Sequence, residues 1–354
     1  MCFWGGGEKL QLENAMAFVK KQYNVFVFAN SRAPLWQKAR AQNIDTRPIS
    51  INNLSFLNPF VIWKLVCLFR EANIDTVVFT TSHDVKVGSL AAKVAGVKNI
   101  VYQRGLAVPI KKSLINKIVF RSILTHIIAN SQETKRSILC NLGAYVPEDK
   151  VQVVYHGIEE PAMRVDLHEK LPEIAEKAHG VILGNAGRLT AQKGQVHLIT
   201  IAKTLKEQQI DFTLFIAGTG ELEDELRKSI VENDLHENVI LLGFVEDVDF
   251  FMRSIDIFLL TSIWEGFGFV LVEAMIRAVP VVCFNASSNP EIVSDNKTGY
   301  TVDYPDIKCF VDKTILLIED EQRRKQMGLQ ARKSVCDRFL IEDRISEFEA
   351  AIRN

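Results

Sequence analysis

The stretch "IFLLTSIWEGFGFVLVEAM" (residues 257–275) decides the fold. It opens with four consecutive apolar residues and no polar alternation, the pattern of a strand buried on both faces of a parallel sheet. Two glycines, Gly266 and Gly268, then turn the chain, and an apolar segment predicted helical over about 269–278 follows. Strand, glycine turn and helix form the repeating unit of an α/β fold. The same unit recurs on both sides of the quoted stretch, at "VILGNAG" (181–187), "FTLFIAG" (212–218), "VILLGF" (239–244) and "VPVVCF" (279–284). It recurs again in the first half, at "NVFVFAN" (24–30), "DTVVFTTS" (75–82), "NIVYQ" (99–103), "HIIANS" (126–131) and "VQVVYHG" (151–157).

Two series of strands imply two doubly wound α/β domains, and 354 residues exceed what one hydrophobic core usually serves. The join is predicted between 158 and 180, where "EEPAMRVDLHEKLPEIAEKAHG" is charged, carries two prolines and breaks the strand rhythm. The domains are expected to span 1–160 and 178–337. Ligands in such folds sit beyond the carboxyl ends of the strands, so two sheets facing each other would enclose a cleft.

The glycine turn of the opening stretch lies at such a strand end, between Glu265 and Glu273. The amides of a first helical turn and the helix dipole favour an anion there, and a diphosphate would fit. Glu273, one turn further on, can accept hydrogen bonds from the two neighbouring hydroxyls of a ribose. Glu265, ahead of the turn, would meet what lies beyond the phosphates. The plain alternative is a solvated Glu265 and a Glu273 on the outer face of an ordinary helix. A second set, "GNAGRLTAQKG" (184–194), places Arg188 and Lys193 in a glycine-flanked loop after a strand. Two such cations can neutralise a diphosphate and stabilise its departure. The alternative here is a pair of solvated loop cations.

The totals bound the rest. Forty-two basic residues against 43 acidic ones give no global field of the kind that draws a protein onto nucleic acid, although a local basic patch is compatible with them. Six cysteines, at 2, 67, 140, 283, 309 and 336, are scattered without metal-ligand spacing, which fits a reducing cytoplasm. No segment approaches the roughly 20 apolar residues of a membrane-spanning helix, and no secretory leader is recognisable.

Taken together, these residues resemble the retaining glycosyltransferases of family 4, which have the two-domain GT-B fold. The resemblance covers nearly the whole chain. It is carried by "GRLTAQKG", "EGFGFVLVEAM", "AGTGELE" (217–223), "GFVEDV" (243–248) and "PEIVSDNKTGY" (290–300), and more weakly by "GGGEK" (5–9), "IANSQETKRSI" and "VYHGIE". It implies a nucleotide-diphosphate sugar as donor, held mainly by the second domain. Diphosphate would lie on Arg188 and Lys193 beside Gly187 and Gly218, and the donor sugar near Glu265. Gly266, Phe267, Gly268, Phe269 and Val270 would line the turn, and Glu273 would take the ribose. Gly5 and Gly6 would approach the diphosphate from the first domain, and a last helix over 338–354 would pack back on that domain.

Transfer would retain configuration through front-face attack, with no cofactor and no metal. The acceptor would be a glycan or a lipid-linked glycan, in bacterial surface polysaccharide synthesis. Alternatives are a sugar-nucleotide epimerase or hydrolase of the same fold, or a non-catalytic partner subunit. Two departures stand out. Arg104 precedes Gly105 where many members have a histidine that contacts the donor sugar; it either binds the donor or serves the structure. "MCFW" leaves only four residues for the strand that normally precedes the glycine loop, so a natural start upstream of Met1 is expected.

Other signals are set aside or kept as lesser candidates. Asp247 or Asp249 of "DVD" is predicted to cap a helix rather than hold a metal. "GTGELE" lacks the third glycine of a dinucleotide fingerprint. His83, in "TTSHDVK", is an acceptor-side candidate, and Glu291 borders the donor loop or merely caps a helix. "PIKKSLINKIVFRSILTHII" (109–128) mixes Lys111, Lys112, Lys117 and Arg121 with apolar residues, which suits peripheral attachment to an anionic membrane, although its cations do not gather on one helical face.

Overall fold

The computed structural model of the chain describes residues 5–52, 54–161 and 171–353. The expectations attached to "MCFW", and the middle of the predicted join (162–170), fall outside these residues. The chain divides into two compact units, 1–157 with 341–354, and 158–340.

The second unit is one six-stranded sheet: β7 (Val181–Ala186), β8 (Phe212–Ala217), β9 (Val239–Gly243), β10 (Ile257–Leu260), β11 (Val281–Phe284) and β12 (Gly299–Val302). All pairings are parallel, in the order β12-β11-β10-β7-β8-β9. β8, β10 and β11 are buried at every residue, as their unbroken apolar runs require. Helices Val196–Glu207 and Ile307–Glu319 pack on one face through Leu198, Ile201, Leu205, Phe310 and Leu317. Each such side chain contributes about 2 kcal/mol by leaving water. The strand order reverses between β7 and β10, the position at which folds of this kind bind ligands.

The first unit holds β1 (Phe26–Ala29), β2 (Asp45–Pro48), β3 (Thr76–Phe79), β4 (Asn99–Arg104), β5 (His126–Ala129) and β6 (Val151–Val153). Its strands form two parallel sheets, β1-β2 and β3-β4-β5-β6. β1 and β3 share one core: Phe28 stacks edge-on against Phe69 at 5.6 Å, and both pack with Val77 and Phe79. Among the described residues no strand lies between β1 and β3, whereas in the second unit β7 occupies the corresponding place between β8 and β10.

The last helix, Ile341–Arg353, belongs to this first unit. Phe348 meets Phe18 of helix Gly6–Lys20, and packs with Val101, Ile128 and Val154 against the sheet. A Lys21–Glu349 ion pair at 2.6 Å closes the edge. The helix starts three residues later than the sequence suggests, because Arg338 still ends the preceding helix Glu321–Arg338. The strands β2 and β12 were not legible as strands; both are short and stand at sheet edges.

Candidate functional site

The two constellations singled out in the sequence emerge from the carboxyl ends of β7 and β10, the neighbouring strands at the reversal point. Asn185 of β7 ties the strands by donating to the Leu259 carbonyl at 2.8 Å. Beyond them the loops are stitched together. Ile263 N–H donates to the Gln192 carbonyl at 2.9 Å, Gln192 Nε2 to the Trp264 carbonyl at 3.0 Å, and Thr261 Oγ1 to the Lys193 carbonyl at 3.3 Å.

Across this seam Lys193 Nζ stands 2.6 Å from Glu265 Oε1, with side chains only 20% and 8% exposed. Glu265 is therefore buried and paired, not solvated. Its backbone carbonyl accepts hydrogen bonds from the Ser287 and Ser288 hydroxyls at 2.7 and 3.2 Å. Lys193 retains donor capacity beyond this one contact, because an ammonium carries three protons.

Arg188 is exposed on the same loop, while the buried Gln195 holds that loop from below: its Nε2 donates to the Arg188 carbonyl at 3.0 Å. Gly187 and Gly218 lie back to back, and a Cβ on Gly218 (φ +136°) would fall 1.9 Å from the Gly187 carbonyl oxygen. Only glycine lets the β7 and β8 loops approach this closely.

The glycine turn leads into helix Phe269–Ile276. Gly266, Phe267 and Gly268 are buried, and Phe267 stacks edge-on against Phe339 at 5.6 Å. Gly268 takes the left-handed conformation (φ +75°) at the N-cap and brings no side chain over the helix start. Phe269, Val270 and Glu273 are partly exposed along this helix. Three polar atoms around the turn, Asn185 Oδ1, Ser262 Oγ and Asn289 Oδ1, are buried without a hydrogen-bond partner among the described residues. A buried polar atom of this kind ordinarily takes its partner from water or ligand where the protein offers none.

In the first unit, Gly5 N–H donates to the Glu8 carboxylate at 3.2 Å ahead of helix Gly6–Lys20, and open space surrounds the position a Cβ of Gly6 would take. Arg104 is buried at the end of β4 and serves its own loop, donating to Tyr102 Oη at 3.0 Å and to the Val108 carbonyl. His83 is exposed and stands just before helix Asp84–Ala95, whose start is closed by Thr81 and Asp84 instead. Asp247 caps helix Val248–Arg253, accepting from Phe250 N–H at 2.8 Å, and Asp249 pairs with Arg253 and Arg277.

Several supporting residues escaped the sequence reading: Gln192, Gln195, Ser287 and Ser288, and in the first unit Asn130 with His156. The Asn130 amide lies 3.1 Å from His156 Nε2, and burial drives the His156 pKa down to about 3. Their only sequence signal was adjacency to the strand ends, in "QKGQ", "NASSNPE", "IANS" and "VYHG".

Comparison with known proteins agrees with this geometry. Residues 168–334 match the family model described as glycosyl transferases group 1, and residues 4–160 the model described as glycosyltransferase family 4. A UDP-Gal:alpha-D-GlcNAc-diphosphoundecaprenol alpha-1,3-galactosyltransferase of Escherichia coli is 24% identical over 97% of this chain and 92% of its own length. The capsular polysaccharide biosynthesis glycosyltransferase CapM of Staphylococcus aureus is 28% identical over 78% of this chain and 76% of its own. The crystal structure of Anabaena Alr3699/HepE with UDP and glucose superposes with a TM-score of 0.81 at 22% identity, covering 99% of this chain and 96% of that one. The GT-B architecture, the paired loops at the reversal point and the two adjoining family matches converge: the chain belongs to the family 4 glycosyltransferases.

Proposed function

We propose that the chain transfers a sugar, with retention of configuration, from a nucleoside-diphosphate donor to a lipid-linked glycan of a bacterial surface polysaccharide. The observation that carries the donor reading is the buried Lys193–Glu265 pair at the strand reversal, set beside a helix start whose cap is a glycine. The diphosphate lies against Arg188, Lys193 and the amides after Gly268. As the glycosidic bond to the diphosphate breaks, the two cations offset the charge gathering on the leaving group. A leaving phosphate oxygen on the same face takes the acceptor's proton, so the chain supplies no separate general base and requires no metal. Glu273 accepts the ribose hydroxyls, and Glu265, held in place by Lys193 and the two serines, faces the donor sugar.

A relative named for UDP-Gal and a structural neighbour solved with UDP favour a uridine nucleotide, and the diphosphoundecaprenol in that relative's name favours a lipid-linked acceptor. No helix among the described residues is long and apolar enough to cross a membrane. We propose that the chain reaches such an acceptor by attaching to the membrane from the side.

The test is a thermal-shift panel of UDP, GDP and ADP and their sugars in the presence of EDTA, on the chain and on Glu273→Ala. A ligand of the folded state raises its melting temperature by mass action. UDP is expected to stabilise the chain, a UDP-sugar to stabilise it further, and Glu273→Ala to lose most of both shifts. A folded chain that responds to no nucleotide, or only when a divalent ion is restored, would overturn the reading.

A further inference from the structure

The near-neutral total conceals two opposite units. The first carries 22 Lys and Arg against 13 Asp and Glu, and the second 20 against 30. The positive excess is concentrated: from 46 to 132 there are eleven basic residues and only three acidic ones, Glu71, Asp75 and Asp84.

Exposed apolar side chains gather in the same segment. Leu54, Leu57, Phe60 and Trp63 fall within ten residues, Phe60 being 79% exposed and Trp63 68%. They occupy the turn Ser55–Leu57 and the start of helix Pro59–Glu71, whose inner side buries Leu65, Val66 and Phe69. The outward stripe of this helix runs Phe60, Trp63, Lys64, Cys67 and then Arg70 and Glu71, so only its first half is apolar. Leu106 and Leu114 are exposed as well, Leu114 by 75%, and the exposed Lys111, Lys112, Lys117 and Arg121 surround Leu114 in the sequence.

These groups lie at one end of the unit. Lys86, in the first turn of helix Asp84–Ala95, stands over the Phe56 ring, while Arg70 at the far end of helix Pro59–Glu71 donates to the Val94 carbonyl. The two helices therefore run side by side in the same direction, and both begin at the carboxyl end of β3. Helix Leu114–Ile118 follows the loop from the carboxyl end of β4, the parallel neighbour of β3.

We infer that this end of the first unit is a membrane-docking face, in which Leu54, Leu57, Phe60 and Trp63 enter the headgroup layer and the 111–121 cations bind anionic lipid. The inference builds on the lateral attachment proposed above and names its surface. Aliphatic and aromatic groups accompanied by a clear excess of basic over acidic residues, eleven against three over 46–132, suit an anionic lipid interface. A nucleic acid would use the cations and leave the leucines without a role. The placement brings the strand ends where an acceptor is expected close to the lipid from which it would come.

The test sediments the full chain with vesicles of phosphatidylcholine, or of phosphatidylcholine mixed with phosphatidylglycerol. The wild type is expected to bind the mixed vesicles, and less so as salt rises. Phe60→Ser with Trp63→Ser should lower partitioning at least about tenfold, and Lys111→Gln with Lys112→Gln should do the same at low salt. Val231→Ser with Leu329→Ser, which removes exposed apolar groups of the second unit, should leave binding unchanged. Failure of the wild type to bind, or binding indifferent to the Phe60 and Trp63 changes, would overturn the inference. So would a wild-type dimer that those changes dissolve without any vesicle binding, which would identify a second copy as the occupant. The assay contains no nucleotide, so failure here leaves the donor site standing, and the thermal-shift panel can fail without affecting this result.

Discussion

Replacing Lys193 with methionine keeps the length of the side chain and removes its charge. Glu265 would then be left 8% exposed, facing a thioether in place of the ammonium now 2.6 Å away. Breaking a buried ion pair by deleting one partner costs about 3 to 5 kcal/mol, because the survivor is buried uncompensated. Lys193 is one-fifth exposed and water can partly replace it, so the lower end, about 3 kcal/mol, applies. The Glu265 backbone should stay in place, since Ser287 and Ser288 hold its carbonyl independently. Adding Glu265→Leu to Lys193→Met removes the stranded charge and should bring stability back to within about 1 kcal/mol of wild type, so the coupling in a double-mutant cycle is about 2 kcal/mol plus whatever Glu265→Leu costs alone. Urea unfolding followed by tryptophan fluorescence reads this, with Trp264 the sole tryptophan of the second unit. A Lys193→Met protein within about 0.5 kcal/mol of wild type, with a cycle that closes without coupling, would refute the reasoning and show the pair to be solvated.

Gly218→Ala should cost about 2 kcal/mol or more, since its Cβ would overlap the Gly187 carbonyl and its φ of +136° disfavours any side chain. Because the displaced carbonyl begins the Arg188 loop, UDP affinity measured by titration calorimetry should fall with it; unchanged affinity and stability would show that the loops are free to separate. His156 supplies a pH dependence. Burial holds its folded-state pKa at about 3, below the usual 6.5, so the unfolded chain binds the additional proton within that window. Its contribution is complete above pH 6.5 and is lost as pH falls towards 3, reaching about 2 kcal/mol by pH 5. Burial lowers His126 and His197 in the same direction, so His156→Gln should flatten the slope without abolishing it; denaturant melts at a series of pH values giving the wild-type slope would exclude His156 as the source.

The strands were legible where burial on both faces forces an unbroken apolar run, as in "FTLFIAG" and "VPVVCF". "DTRP" and "GYTV" were not, because an edge strand needs only one neighbour and tolerates charge, proline and glycine. Arg188, Lys193, Glu265 and Glu273 could be picked out because glycine turns mark the ends of apolar strands. The Lys193–Glu265 contact could not, since its partners are 72 residues apart and meet only because β10 is placed beside β7. The role of Arg104 was open in the sequence, and its hydrogen bonds to Tyr102 and Val108 are contacts within its own loop region that no local pattern announces. The charge division was hidden for another reason: a total cannot reveal it until the boundary between the units is known.

The division of the first unit's strands into two sheets bears on how the molecule comes apart. β1 is only half-buried along its length and Val78 of β3 is 38% exposed, whereas β8 and β10 are enclosed throughout. Backbone amides gain protection from neighbouring strands on both sides, and those of β1 and β3 have one such neighbour each among the described residues. The lower burial of β1 and β3 predicts that they open locally at lower free energy than β8 and β10, and that heating loosens the first unit before the second. Two thermal transitions are then expected, and the thermal-shift panel reads the one of the nucleotide-binding unit. A nucleotide bound by the second unit raises the upper transition directly, while the lower one reports the half of the molecule that carries the exposed apolar end.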